Sequence, residues 1–413
     1  MAPISRDDCV EMDLKDPLAV WREAFLLSEN LIYLDGNSLG PLSKEVEKTL
    51  STTIREQWGE GLIGSWNDSH WIDLPERVGD KIAPLVGADA GEVIASDSVS
   101  VNIFKLAAAA VRMVPKRSVL ITEPGNFPTD LYMLQGLKEL LGDQLQLILV
   151  EPDRLADGLS SDTALVLLTH VHYKTGRMLD MGSITQQVQD AGALMLWDLS
   201  HSTGAVPVEL NQCNVDFAVG CGYKYLNGGP GAPGYAFVAS RHQAGLRQPL
   251  TGWFGHQNPF AMSDDYQPAD GIRQLLSGTP SVLGLSALEA AVGQVVAADI
   301  HKLRYKSLQL SRLFEQLVSQ RLAPYGFTSD SPDEPEQRGS QVALLHPSAY
   351  AIVQALIAAG VVGDFRPPNV LRFGLAPLYL RFQDIWDAVT TLAEIMESGR
   401  WQDDEFSVRK AVT

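Results

Sequence analysis

Lys224 lies between Tyr223 and Tyr225 in the run Gly222-Tyr223-Lys224-Tyr225-Leu226-Asn227-Gly228-Gly229-Pro230-Gly231. Upstream, the β-type run Ala193-Leu194-Met195-Leu196-Trp197 ends in Asp198, with His201 three residues on. A lysine is a poor nucleophile while protonated. Desolvation or neighbouring cations lower its pKa, and the free amine then condenses with an aldehyde. An acid at a strand end supplies the fixed negative charge that a cationic ring needs. Taken singly, a lysine beside a tyrosine is usually a solvated surface residue, and an Asp after a strand is usually a helix cap. The acid, the lysine and the glycine run together favour an imine-forming amine that serves a positively charged ring.

The aldehyde that fits these groups is pyridoxal 5'-phosphate, whose ring nitrogen must stay protonated if the ring is to take up electrons. The segments Trp197-Asp198-Leu199-Ser200-His201-Ser202-Thr203-Gly204-Ala205 and Tyr223-Lys224-Tyr225-Leu226-Asn227-Gly228-Gly229 resemble those of the kynureninase family. That family belongs to the fold-type I pyridoxal phosphate enzymes, near the class V aminotransferases, and the bacterial members look nearer than the animal ones. The likeness runs from Tyr33-Leu34-Asp35-Gly36-Asn37-Ser38-Leu39-Gly40 to Arg372-Phe373-Gly374 and Pro377-Leu378-Tyr379, nearly the whole chain. It implies an α/β fold: a large domain with a mostly parallel sheet flanked by helices, and a small α/β domain. It also implies hydrolysis of L-kynurenine to anthranilate and L-alanine by Cβ–Cγ cleavage, with 3-hydroxykynurenine as a further candidate substrate.

The resemblance carries further residues. Ser96-Asp97-Ser98-Val99-Ser100-Val101-Asn102 follows a strand and opens a helix, where unpaired N–H groups and a partial positive charge favour an anion. Alone it reads as a serine cap; the family places the cofactor phosphate there, on Val99 and Ser100, with Tyr223 as a further donor. Trp253 and Thr279 resemble residues that reach the phosphate from the neighbouring subunit, so a homodimer with shared sites is implied. Phe127-Pro128-Thr129-Asp130 matches the family's cofactor segment, with Phe127 stacking on the ring and Asp130 beside Asp198. Otherwise Phe127 would be a core aromatic and Asp130 a first-turn acid. Thr169 and His201 are carried over as cofactor contacts. Arg372, in the apolar run Val370-Leu371-Arg372-Phe373, is expected to bind the substrate carboxylate through its planar fork, though a structural ion pair fits that context too. Asn37 and Ser38 are expected near the substrate. Trp66, in a glycine-rich stretch, is a hydrophobic plug by its residues and a substrate wall by resemblance. Lys224, Tyr223, Asp198 and Asp130 form the expected catalytic set.

These groups need elements to hold them. Apolar runs predict strands at Val93–Ala95, Val119–Thr122, Gln146–Val150, Ala164–Leu168, Ala193–Trp197, Phe217–Val219 and Tyr235–Val238. Helical stretches lie between several of them: Asn102–Met113, Pro128–Leu141 and Ile184–Gly192. Such alternation indicates a parallel sheet whose ligands gather at the strands' carboxyl ends. Near the start, an arm is expected to precede a helix capped by Asp16-Pro17, and a second helix starts near Ser43. Residues 60–72 read as a loop. Helices follow at Val282–Ala298 and about Ile300–Ala323, then strands at Val342–Leu345 and Val370–Phe373. The expected division is 1–60 packing with the small domain, 61–298 as the large domain and 299–413 as the small one.

With 413 residues the chain exceeds one ordinary core. A formal charge of −18 argues against nucleic acid and anionic membranes as partners, since both require a basic face. Cys9, Cys213 and Cys221 form no zinc spacing, so no metal is expected, and this sparse usage fits a reducing cytoplasm. No leader or apolar span is read from the sequence. Rival readings are a desulfurase, an aminotransferase or a non-catalytic cofactor-binding protein. A desulfurase needs a cysteine on a mobile loop, and the Ser329–Gly339 loop has none. A dinucleotide reading of Gly228–Gly231 fails because these glycines precede a strand-like segment rather than opening a helix.

Overall fold

The computed structural model describes residues 3–410. Its central sheet has seven strands: β1 (Val93–Ala95), β2 (Val119–Thr122), β3 (Gln146–Leu149), β4 (Thr163–Thr169), β5 (Leu194–Asp198), β6 (Phe217–Cys221) and β7 (Gly234–Val238). Their order across the sheet is β1-β7-β6-β5-β4-β2-β3. The pairings from β3 through to β6 are parallel, and β7 runs antiparallel to both β6 and β1. Strands β4 to β7 are buried along their whole length, which is why they read as unbroken apolar runs. Alternate residues still divide between two faces. Leu165, Leu167, Leu194 and Leu196 pack with Ile103, Leu106 and Leu134 of the helices Val99–Met113 and Pro128–Leu141. Val166, Leu168, Met195 and Trp197 join the cluster that holds Val188 and Leu288.

A second sheet is antiparallel throughout: β8 (Thr328–Ser329), β9 (Gln341–Leu345), β10 (Asp364–Arg366) and β11 (Val370–Gly374), in the order β10-β11-β9-β8. The helices Val282–Ala298 and Ile300–Arg321 lead to it, meeting at a bend of 79°. Asp299 makes that bend in the left-handed region, at φ 69°. No single helix among the described residues is long and apolar enough to cross a membrane.

The N-terminal segment departs from the expected arm. Arg6–Leu14 is an α-helix, capped reciprocally by Ser5 and Asp8. Cys9 is its one fully buried residue, so it carries no apolar periodicity to detect. After Asp16-Pro17 the chain makes only a 3₁₀ turn, Ala19–Ala24, without a side-chain cap. Asp16 instead pairs with Lys306 at 2.7 Å, with both side chains almost wholly buried, and Lys306 donates to the Pro377 carbonyl. Ser43 does cap the helix Lys44–Thr52. Residues 60–72, expected as loop, form the short helical turns Leu62–Gly64, Ser65–Asp68 and Trp71–Asp73.

Breaking one partner of a buried pair leaves an uncompensated charge, worth about 3–5 kcal/mol. Lys306→Met is therefore expected to destabilise the protein by about 3 kcal/mol in urea unfolding. The double variant Asp16→Asn/Lys306→Met should recover much of that loss; equal losses in the two would show that the Asp16 charge left behind costs nothing.

Candidate active site

The parallel strands all aim their carboxyl ends at one edge, where the chemistry-bearing residues collect. Thr169 ends β4 directly beside Asp198 at the end of β5, and Asp198 pairs in register with Val219 of β6. Lys224 follows β6 in a turn closed by Asn227 N–H donating to the Lys224 carbonyl at 2.9 Å and Gly228 N–H to the Gly222 carbonyl at 2.9 Å. Gly40 N–H donates to the Tyr223 carbonyl at 2.7 Å, clamping the turn from the N-terminal segment. A Cβ on Gly40 would lie 2.6 Å from the Lys224 carbonyl oxygen, so only glycine allows this approach.

These elements enclose a cavity of about 210 Å3 lined by Lys224, Tyr223, Asp198, Phe127, Thr169 and Ser100, among others. Lys224 is buried, yet its amine forms no hydrogen bond or ion pair among the described residues; it lies 5.6 Å from the Phe127 ring centroid. Asp198 Oδ1 accepts from Ser200 N–H at 2.7 Å. Asp130 is fully buried; one oxygen lies 3.3 Å from Thr169 Oγ1, whose single proton goes to Asn126, and the other has no partner among the described residues. Burial first, then repulsion from Asp198, pushes the Asp130 carboxyl well above the usual carboxylate range. Asp198 is raised too, chiefly by burial, but Ser200 and Lys224 oppose the rise. Asp130 therefore holds the proton and Asp198 the negative charge.

At the other end, Ser98 caps the helix Val99–Met113, and Ser98, Val99 and Ser100 all border the cavity. Ser100 Oγ and Thr129 Oγ1 are 2.6 Å apart, and Pro128 opens the helix that carries Thr129. Gly234 makes room here, since a Cβ on it would come within 3.0 Å of the Val99 nitrogen. Asp97 would repel an anion at this end, but buried Lys105 pairs with it at 2.7 Å.

Not every expected residue reaches this cavity. Arg372 is buried in β11, opposite Asp364 of β10 in register, and donates to both oxygens of that carboxylate. It also donates to Ser38 Oγ at 2.7 Å and to the Tyr173 carbonyl at 2.6 Å. Four of its five N–H groups are thus engaged. Ser38 in turn donates to Asp364 at 2.7 Å. Asn37 is wholly buried against Gly374, with neither amide atom bonded. Trp66 packs on Trp71 and Phe254, at 5.9 and 5.8 Å between ring centroids. Trp253 lies half-exposed against Phe254 and Phe260. Thr279 lines a neighbouring cavity that shares Asp97 and Gly231 with the first.

The structure adds residues that sequence reasoning passed over. Tyr173 stands edge-on to Phe127 and lines the cavity. Asn126 accepts from Thr169 Oγ1 at 2.5 Å. Gln341 meets His201 at 3.0 Å. Glu123 accepts from Thr169 N–H at 3.3 Å, and burial pushes its carboxyl up to about 7. Asp364 carried a detectable signal: like Arg372, it is a charge inside an apolar run, Val361-Val362-Gly363-Asp364-Phe365. The others needed long-range contacts.

Among solved structures, the fold is similar to the cysteine desulfurase CsdA from Escherichia coli, with TM-score 0.77 at 20% identity over 92% of this chain and 98% of that one. It is also similar to a cysteine desulfurase from Thermococcus onnurineus NA1, with TM-score 0.76 at 17% identity over 96% and 99%. The fold is thus that of the fold-type I pyridoxal phosphate enzymes, and the lysine, the paired acids and the capped helix stand where its strand ends converge. Sequence narrows the class. The chain is 49% identical to the kynureninase of Burkholderia pseudomallei strain 1106a, over 99% of this chain and all of that one. It is 46% identical to the kynureninase of Pseudomonas fluorescens over the same shares, and residues 303–392 match the kynureninase C-terminal domain. The chain belongs to the kynureninase family.

Glu123 gives a test of the buried acids. Its folded pKa lies above the unfolded value, so its contribution is fully present below pH 4.5 and is lost as pH rises through about 7. Glu123→Gln, which fixes the neutral form, is expected to stabilise the apo-protein by about 1–3 kcal/mol at pH 8 and by little at pH 4.5. Denaturant midpoints at the two pH values check this; an equal effect at both would contradict it.

Proposed function

We propose that this chain hydrolyses L-kynurenine to anthranilate and L-alanine with pyridoxal 5'-phosphate bound in the lysine cavity. The observation that carries the reading is Lys224: a buried amine with no hydrogen bond or ion pair among the described residues, sharing its cavity with Asp198, which Asp130 backs from behind the wall. The cavity's residues fit the cofactor. The unpartnered amine suits an aldehyde carbon. Asp198, kept anionic by Ser200, suits a protonated ring nitrogen, and Phe127 suits a ring face. The first turn of the helix at Val99, with Ser100, Thr129 and Tyr223, suits a phosphate. When bound, the cofactor supplies an electron sink for the substrate's α-carbon.

The chain's own groups do the rest. Lys224, with its amine free, would remove the substrate's α-proton as general base. Asp130 holds its proton, so the negative charge facing the ring stays on Asp198. Tyr223 stays protonated, because burial raises its phenol, and can pass that proton on. Arg372 binds the substrate carboxylate, beside Ser38. The net change adds water across the Cβ–Cγ bond: hydroxyl goes to the acyl carbon and the proton to Cβ, giving anthranilate and alanine.

A desulfurase assignment needs an accessible thiolate. The thiol on this cavity is Cys221, which is fixed in β6, almost wholly buried and pushed up by burial. We place the protein in the cytoplasm, in line with its three free cysteines. We also propose a homodimer in which Trp253 and Thr279 reach the partner's site. Exposed Trp253, Phe260, Met262 and Tyr266 support this as an apolar patch that a partner would cover.

Lys224→Ala is expected to keep the wild-type circular dichroism and melting profile while losing at least about a thousandfold in anthranilate and alanine formation, the scale of a lost catalytic base plus covalent anchor. Turnover like that of wild type would overturn the assignment. Sedimentation should give a dimer, and Phe260→Asp with Met262→Asp should shift it toward monomer and lower activity together; an active monomer would refute the shared site.

A further inference from the structure

Gln341 is the first residue of β9, in the small antiparallel sheet, and is buried. Its amide nitrogen donates to two main-chain carbonyls, those of His172 at 3.2 Å and Tyr173 at 2.9 Å. Carbonyl oxygens only accept, so the amide can face them one way round, with its oxygen on the opposite side. That oxygen lies 3.0 Å from His201 Nδ1. An acceptor facing Nδ1 requires a proton there. Burial first, then the charges of Lys224 and Arg372, hold the His201 imidazolium well below its usual pKa, so the ring is neutral and carries one proton. Nε2 is therefore left with a lone pair. It has no hydrogen-bond partner among the described residues, while the residue itself lines the cavity with Lys224 and Asp198.

We infer that Gln341 is a positioning residue that locks His201 as the Nδ1–H tautomer, so that Nε2 becomes an acceptor for a hydroxyl donor held in the lysine cavity. The identity of that donor, the ring hydroxyl of pyridoxal phosphate, rests on the proposed function; the tautomer does not. The lock is built from the small sheet, although His201 lies in the turn that follows β5 of the large one. The segment that Gln341 grips is tied to the same sheet region by Gly339 N–H donating to the Gly176 carbonyl at 2.7 Å and Ser331 Oγ donating to the Thr175 carbonyl at 3.0 Å. Gly176, at φ 74°, makes the room, since a Cβ on it would meet Gln341 Cγ at 3.0 Å. Displacing the small sheet would thus release the acceptor.

Two substitutions separate this role from simple packing. Gln341→Glu and Gln341→Met both lose the amide donor to His172 and Tyr173, but only Met loses the acceptor for Nδ1. Nitrogen NMR on histidine-labelled apo-protein, with the His201 signal assigned by its absence in His201→Gln, reads the tautomer directly. Wild type and Gln341→Glu are expected to carry the proton on Nδ1, and Gln341→Met to shift it toward Nε2. A proton on Nε2 in wild type, or the same tautomer in all three, would overturn the lock. After loading with pyridoxal phosphate, the visible spectrum reports the ratio of protonated to deprotonated ring hydroxyl. Gln341→Met is expected to lower that ratio about fivefold, the worth of one net hydrogen bond, with Gln341→Glu close to wild type. An unchanged ratio in Gln341→Met would refute the cofactor contact. Failure to take up pyridoxal phosphate at all would refute the proposed function, and the apo-protein result would still decide the tautomer.

Discussion

A lysine amine and two carboxyl groups are buried close together here, and most of the surrounding structure serves that arrangement. Two buried acids this close cannot titrate independently. Burial and mutual repulsion force one acid to keep its proton, and geometry decides which. Asp198 has Ser200 N–H as a donor, whereas one oxygen of Asp130 has none. The charge therefore settles on Asp198, at the end of β5. Thr169 and Asn126 brace the neutral partner, and the sheet register places them: Thr169 lies directly beside Asp198 on the adjacent strand.

The same arrangement explains why two sheets are needed. The large sheet supplies the floor and Asp198, and the helix Pro128–Leu141 supplies Asp130, but little in either orients the far wall of the cavity. The small sheet does so through one segment, residues 170–178. Arg372 donates to the Tyr173 carbonyl, Gln341 to those of His172 and Tyr173, and Gly339 to that of Gly176. Tyr173 in turn stands against Phe127, the ring nearest the lysine amine. A movement of the small sheet would therefore reach Phe127 and His201 without passing through the core of the large domain.

How far this was legible in the sequence depended on whether the signal was local. The strands that carry Thr169 and Asp198, and the one that leads into Lys224, are apolar runs because both sheet faces are covered, and their positions could be read to within a residue or two. The lysine, the paired acids and the capped helix came partly from chemistry and partly from family resemblance; the folded chain brings Lys224, Asp198 and the capped helix to one cavity and buries Asp130 just behind its wall, beside Thr169. The helix Arg6–Leu14 left no trace because only Cys9 and Met12 of it pack on the core, and its other anchors are polar: Arg6 to Asp387, and Asp13 to the backbone of Phe382 and Gln383. Gln341 and Asn126 were invisible for a different reason. A polar residue at the start of a strand, or in a turn, has many innocuous roles, and only its partner far along the chain distinguishes them.

Arg372 is buried and paired, and its neighbours decide how much positive charge the cluster keeps. Asp364 engages Arg372 and Arg366 at once, and the latter donates to it at 2.8 Å. Two cations face one firm anion, because the arginines hold Asp364 below the usual carboxylate range against the cost of burial. The remaining acid nearby, Asp35, is raised to about 7, first by burial and then by Asp364 itself. Below that pH Asp35 is neutral, and the cluster keeps one positive charge in excess. A carboxylate arriving at Arg372 would make it neutral, and Asp35 would then be held protonated still more firmly. The bidentate Asp364 bond takes the Nε–Nη2 fork, so such a ligand would meet the other side of the guanidinium. That bond fixes the guanidinium plane, leaving one N–H of Arg372 and the Ser38 hydroxyl to be redirected, which favours orientation over raw attraction.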